Sequence, residues 1–181
     1  MIELLVAVLV IGLVMSAILT TFISMWKSQG ASVGMSSSQA QAQQMATTLC
    51  NAFRGAALCA STDSGCVVGA NVQDATATSC KLYTRDSSGV LGFVTYAVNN
   101  GNFQMTVGSG TPTTIYTGAS MTLTYYTSST YYTSAMTTFT PTNSTISSLI
   151  AVGIVVSITK NESAGDNATS TYSTLVSLRN R

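Results

Sequence analysis

A single acid stands at the head of the longest apolar run in this 181-residue chain: Glu3, followed from Leu4 to Ile23 by LLVAVLVIGLVMSAILTTFI without another charge. A charged side chain carried to the centre of a bilayer costs on the order of 2.5 to 3.5 kcal/mol, so it needs headgroup water or a cationic partner. The other five carboxylates, Asp63, Asp74, Asp86, Glu162 and Asp166, are scattered, and no two have the spacing of a metal-binding or glycosidase pair. Histidine is absent, which removes the commonest general base near neutral pH and the commonest metal ligand together. This inventory predicts a protein that is not an enzyme and has no catalytic, metal or cofactor site.

Four cysteines, Cys50, Cys59, Cys66 and Cys80, succeed one another at spacings of 9, 7 and 14, without the regularity of a zinc site. Thiols beside an apolar span point to an oxidising compartment where disulfides persist. Three pairings are possible. The preferred one joins Cys59 to Cys66, closing the loop from Ala60 to Gly65, and Cys50 to Cys80, tying a helix to the first strand.

The surface that surrounds these groups is nearly uncharged. Hydrophobic residues make up 46% of the chain and charged residues only 7%, against roughly a quarter in ordinary globular domains. Ser, Thr, Asn and Gln must keep it wet. A net charge of +1 with no basic run lacks the electrostatic footprint of phosphate-backbone binding, so there is no strong nucleic-acid signal. The aromatic cluster Tyr125, Tyr126, Tyr131 and Tyr132 could be an adhesive patch, but alternating aromatics in strands more often pack across strands.

The elements that position these residues divide the chain in two. The run after Glu3 matches the roughly 20 residues needed to cross a bilayer core, and an acid in front of it, where a secretory signal has basic residues, argues against a cleaved signal. No proline interrupts the stretch from Trp26 to Leu58. Ala42, Met45, Ala46, Leu49, Cys50, Phe53, Ala56 and Ala57 recur at three and four, which predicts one amphipathic continuation to about residue 57. Residues 1–57 therefore read as one long helix, with 1–26 its membrane-spanning or filament-core part, and 58–181 as a disulfide-stapled head.

From Cys80 onward the sequence turns to Val, Ile, Thr and Tyr between Gly, Asn and Ser clusters, which is strand chemistry. Val90 to Val98 and Asn102 to Val107 flank Asn99-Asn100-Gly101 as a hairpin. Further strands are expected at Lys81 to Arg85, Ala119 to Thr127, Leu149 to Lys160 as the central strand, and Thr171 to Arg179. Thr127 to Ser148 reads as a long surface loop or a pair of edge strands. The fold class is α+β: a long N-terminal helix packed on a C-terminal antiparallel β-sheet domain.

The N-terminal run IELLVAVLVIGLVMSAILTTF, opened by Glu3, resembles the N-terminal helix of type IV pilins and type II secretion pseudopilins. In that family the mature chain commonly begins Phe-Thr-Leu-Ile-Glu after a cleaved leader, so the resemblance implies that two residues and the leader precede Met1. Gly12, nine residues after the acid, falls where the family carries a glycine at which the helix loosens during assembly. Thr20 stands where many pilins have a proline. The segments SMTLTYY (Ser120 to Tyr126), VVSITK and the terminal TLVSLRNR resemble PilW-like and GspJ-like minor pilins.

The resemblance implies a structural subunit of an extracellular type IV pilus-like filament, anchored in the inner membrane before assembly and exported to the cell surface by pilus or secretion machinery. Its partners would be copies of itself, with Glu3 neutralised by the N-terminal amine of a neighbour. The alternatives are a minor pilin or pseudopilin at the tip of a type II secretion or DNA-uptake machine, and a monomeric single-span protein with an extracellular binding domain. Asn143, Asn161 and Asn167 each open an Asn-x-Ser/Thr sequon suited to an extracellular surface.

Overall fold

The structure, a computed structural model, describes residues 2–127, 137–142, 145–161 and 167–178. Helix α1 (Ile2–Gly55) is unbroken over its 54 residues, about 81 Å at 1.5 Å rise per residue. Its two halves differ as their compositions require. From Ile2 to Val33 no described side chain is buried, whereas Ala42, Met45, Ala46, Leu49 and Phe53 are each at most 1% exposed. These are the positions on one face of a 3.6-residue period. The helix ends at Gly55; Ala56 and Ala57, expected inside it, lie just beyond and half-buried. There the Ala57 N–H donates to Tyr83 O at 2.8 Å, handing the chain over to the sheet.

The rest of the described chain forms two antiparallel sheets. The first is a meander of β1 (Val72–Ala75), β2 (Ser79–Arg85), β3 (Leu91–Asn99), β4 (Asn102–Val107) and β5 (Thr113–Thr117) in that spatial order. The β3–β4 hairpin turns where the sequence places it, with Asn100 at φ 48° and Gly101 at φ 72°, the left-handed conformations that Asn and Gly tolerate. The second sheet has the order β7 (Thr137–Phe139), β6 (Ala119–Thr127), β8 (Leu149–Asn161), β9 (Asn167–Ser177). The apolar β8 is an interior strand, and within Thr127 to Ser148 the described structure is the edge strand β7 and a 3-10 turn at Ile146–Ser148. Strands β1 and β5 lie outside the strand set expected from the sequence.

The chain passes from the first sheet to the second at Gly118. Its φ is +65°, and a Cβ there would stand 2.1 Å from the backbone oxygen of Thr159. Only glycine fits so close an approach. A hydrogen bond closes the same contact, Thr159 N–H to Gly118 O at 2.8 Å, and Leu123 N–H to Ala77 O at 2.8 Å is a second tie between the sheets. Both sheets and the second half of α1 share one core, with Phe53, Phe103, Met45, Leu49, Leu82, Ile154 and Ile158 among its fully buried side chains.

The helix lies on β8 and β9. Ser38 and Ser170 hydroxyls meet at 2.7 Å, and Thr174 hydrogen-bonds Cys50. Residue numbers rise together along α1 and β9 through these contacts, so the two elements run in the same direction. Tyr116 of β5 reaches the helix as well, its hydroxyl donating to Gln44 Oε1 at 3.2 Å.

Candidate assembly surface

The outer half of α1 is the largest feature that the head leaves uncovered. Every large apolar side chain described from Ile2 to Met35 is more than half exposed, the least so being Ile23 at 51% and the most Ile2 at 78%. An uninterrupted apolar surface of this kind marks contact with lipid or with another protein. The helix is long and apolar enough to cross a membrane, its most apolar 18-residue window having a mean hydropathy of 2.6.

Three hydroxyls inside this stretch bond back to the helix itself. Ser16 Oγ donates to Leu13 O at 2.9 Å, Thr20 Oγ1 to Ser16 O at 3.0 Å, and Thr21 Oγ1 to Ala17 O. Backbone bonds and these back-bonded hydroxyls lower the polarity that the helix presents from Leu13 to Thr21, which suits a bilayer or a dry bundle. Gly12 sits within the unbroken helix with nothing within 4 Å of where a Cβ would be. Glu3 is exposed in the first turn, where a carboxylate complements the N-terminal end of the helix dipole. Among the described residues no cation is bonded to it; the one ion pair there joins Arg85 to Asp63.

The string Gly30-Ala31-Ser32-Val33-Gly34 fits GxSxG. It lies inside α1, where Ser32 Oγ donates to Gln29 O at 2.9 Å. A nucleophile elbow needs a sharp strand-to-helix turn and a histidine partner, and this serine has neither.

Cys59 and Cys66 are bonded, with Cα atoms 6.1 Å apart. Cys50 and Cys80 are not: both are free and buried, which corrects the expected second bridge. The reason is geometric. Cys50 faces Thr174 on β9 of the second sheet, whereas Cys80 sits in β2 of the first, beside Tyr96 and Tyr125. A disulfide needs Cβ atoms pointing at each other within about 4 Å. Burial pushes the Cys80 thiol up to about 12 and raises that of Cys50, leaving both unreactive.

Cys59, Cys66 and Asp63 bring their ligand atoms within 4.8 Å of one another, but the bridge occupies both sulfurs and Arg85 holds the carboxylate. Asp63 Oδ2 accepts from Arg85 Nη2 at 2.6 Å and from Ala60 N–H at 2.8 Å. The Arg85 guanidinium also donates to Leu58 O at 3.2 Å and Gly89 O at 2.9 Å. The Cys59–Cys66 loop is thereby clamped to the turn after β2.

Of the sequons, Asn161 and Asn167 are register partners at the open end of the β8–β9 pair, with Asn167 exposed. That end lies beside the helix at residues 35–37: Ser170 Oγ donates to Met35 O at 3.4 Å, and Lys160 Nζ to Ser37 Oγ. Asn143 lies outside the described residues, as do Tyr131, Tyr132, Glu162, Asp166, Arg179 and Arg181. Tyr125 is 3% exposed, its hydroxyl donating to Thr76 O at 2.8 Å, so it belongs to the core rather than to an adhesive patch.

None of the protein-family models, curated proteins or solved structures compared with this chain matches it. One long apolar N-terminal helix leading into antiparallel sheet is nonetheless compatible with a pilin-like fold.

Proposed function

We propose that this chain is a structural subunit of an extracellular type IV pilus-like filament, assembled by packing of its N-terminal helices. The observation that carries the reading is the continuity of α1: one helix holds an exposed apolar half and a half that is core to the head. The same surface serves two environments. Before assembly it lies in the inner membrane as an anchor, and afterwards it packs against copies of itself, so that lipid contacts are exchanged for helix contacts and Glu3 is neutralised by a neighbour. The N-terminal resemblance to type IV pilins supports this assignment over a generic anchor.

The test is electron microscopy of material sheared from cells making the wild-type chain and its Glu3→Ala variant. Thin fibres containing this chain, lost in the variant, are the expected result. Fibres of which the chain is only a trace component would favour the minor pilin or pseudopilin reading. A chain that stays monomeric in the membrane, with export indifferent to Glu3, would leave it as a single-span binding domain.

A further inference from the structure

Charge is so scarce on α1 that its placement carries information. Between Ile2 and Phe53 the helix has two charged side chains, Glu3 and Lys27, of opposite sign, with Arg54 in the last turn. Both Glu3 and Lys27 are exposed, and neither has an ion-pair partner among the described residues. The remaining described cations are engaged or distant from the span: Arg85 is bound to Asp63, Lys81 stands 3.7 Å over the Phe93 ring, and Lys160 is bonded to Ser37.

We propose that Glu3 of one copy pairs with Lys27 of a neighbouring copy, in place of the N-terminal amine that the pilin resemblance implies, and that this contact sets the axial stagger between packed helices. The inference rests on the filament reading above. A carboxylate and an ammonium enclosed among apolar helices are each costly alone and tolerable as a pair. Their separation of 24 positions corresponds to about 36 Å along the axis, so two parallel helices offset by that distance bring the acid level with the amine.

Their angular placement decides the kind of assembly. At about 100° per residue, Glu3 and Lys27 are roughly a third of a turn apart on the helix. One copy therefore offers its acid to a neighbour on one side and its amine to a neighbour on another. Such a head-to-tail contact does not close on itself and propagates as a helix of subunits. Ser28, Gly30, Ala31 and Ser32 beside Lys27 have small side chains, which lets a neighbouring backbone come close. In the unassembled chain the same two residues bracket the charge-free stretch Leu4 to Trp26, about 34 Å long, and so sit at opposite faces of a bilayer core.

Charge reversal tests the pairing in cells that make the full chain. Glu3→Lys and Lys27→Glu should each reduce sheared filament at least tenfold, and the double exchange should restore it to within about threefold of wild type, with membrane insertion of each variant followed in parallel. Filament yield unchanged by Lys27→Glu would overturn the pairing while leaving the filament reading intact; absence of filament from the wild-type chain would remove the filament reading itself. Because the exchanged chain could fail to insert, a second variant keeps the matter decidable with Glu3 and Lys27 both in place: Ala7→Cys with Ala31→Cys, each about one turn further along the same face and again 24 positions apart, in a Cys50→Ser, Cys80→Ser background. Oxidised filaments should then give a ladder of cross-linked multimers on a denaturing gel. A product that stops at the dimer, or no cross-link in intact filaments, overturns the proposed stagger.

Discussion

Arg85 Nη2 and Asp63 Oδ2 meet at 2.6 Å across the mouth of the Cys59–Cys66 loop, so one arginine at the end of β2 holds both the loop and the adjoining turn at Gly89. The hydrogen bond from Arg85, helped by the Ala60 N–H, keeps the Asp63 carboxyl below its ordinary value of 3.8. The sign comes from linkage: a depressed folded-state value contributes stability above the unfolded value that is lost as pH falls through the folded one. Melting temperature should therefore decline as pH drops below about 4, and Asp63→Asn should flatten that part of the curve. Parallel wild-type and variant curves in acid would contradict the assignment.

The thiol inventory gives a second expectation. Folded protein should carry two free thiols that label only after unfolding, and reduction should add about two protons to the intact mass rather than four. Opening the Cys59–Cys66 loop, of sequence separation 7, should destabilise the head by about 2.5 kcal/mol in the chain-entropy model. Denaturant midpoints of the Cys59→Ser, Cys66→Ser double variant measure this.

Gly118→Ala should be far worse than an ordinary glycine substitution. Its positive φ and the Thr159 oxygen 2.1 Å from the new methyl require the passage between the sheets to move, at a cost of about 3 kcal/mol or more. Thermal melts of the full chain in detergent would show it, with Gly12→Ala as the near-neutral control for head stability.

Two phenylalanines on α1 should separate folding from assembly. Phe53→Ala empties a fully buried core position and should cost the head about 3–5 kcal/mol. Phe22→Ala, on the exposed half, should leave head stability within about 0.5 kcal/mol of wild type and reduce filament yield. Equal effects of the two on head melting would contradict the division of the helix.

The helix was legible because two signals agreed along it: uniform apolarity to Ile23, then a three-and-four period whose members from Ala42 to Phe53 are the ones buried. The β3–β4 hairpin was legible because Asn100-Gly101 has few conformational alternatives. Strands β1 (VQDA) and β5 (TTIYT) were not, since four or five residues that mix polar and apolar types take their strand identity from the neighbour they pair with. The false Cys50–Cys80 bridge has the same origin. Spacing along the chain carries no record of which sheet each sulfur faces. At the span, Glu3 was visible as an oddity, whereas Lys27 gained its meaning from the finding that no cation of the head reaches Glu3 among the described residues.

The parallel run of α1 and β9 has a mechanical consequence. Tension applied to the N-terminal end of the helix loads its contact with the head in shear, along the line from Ser38 on Ser170 to Cys50 on Thr174, rather than peeling it open one residue at a time. The buried side chains from Ala42 to Phe53 then resist together. With no described break between the span and the head, a pull at the base reaches the β8–β9 pair without a compliant joint to absorb it.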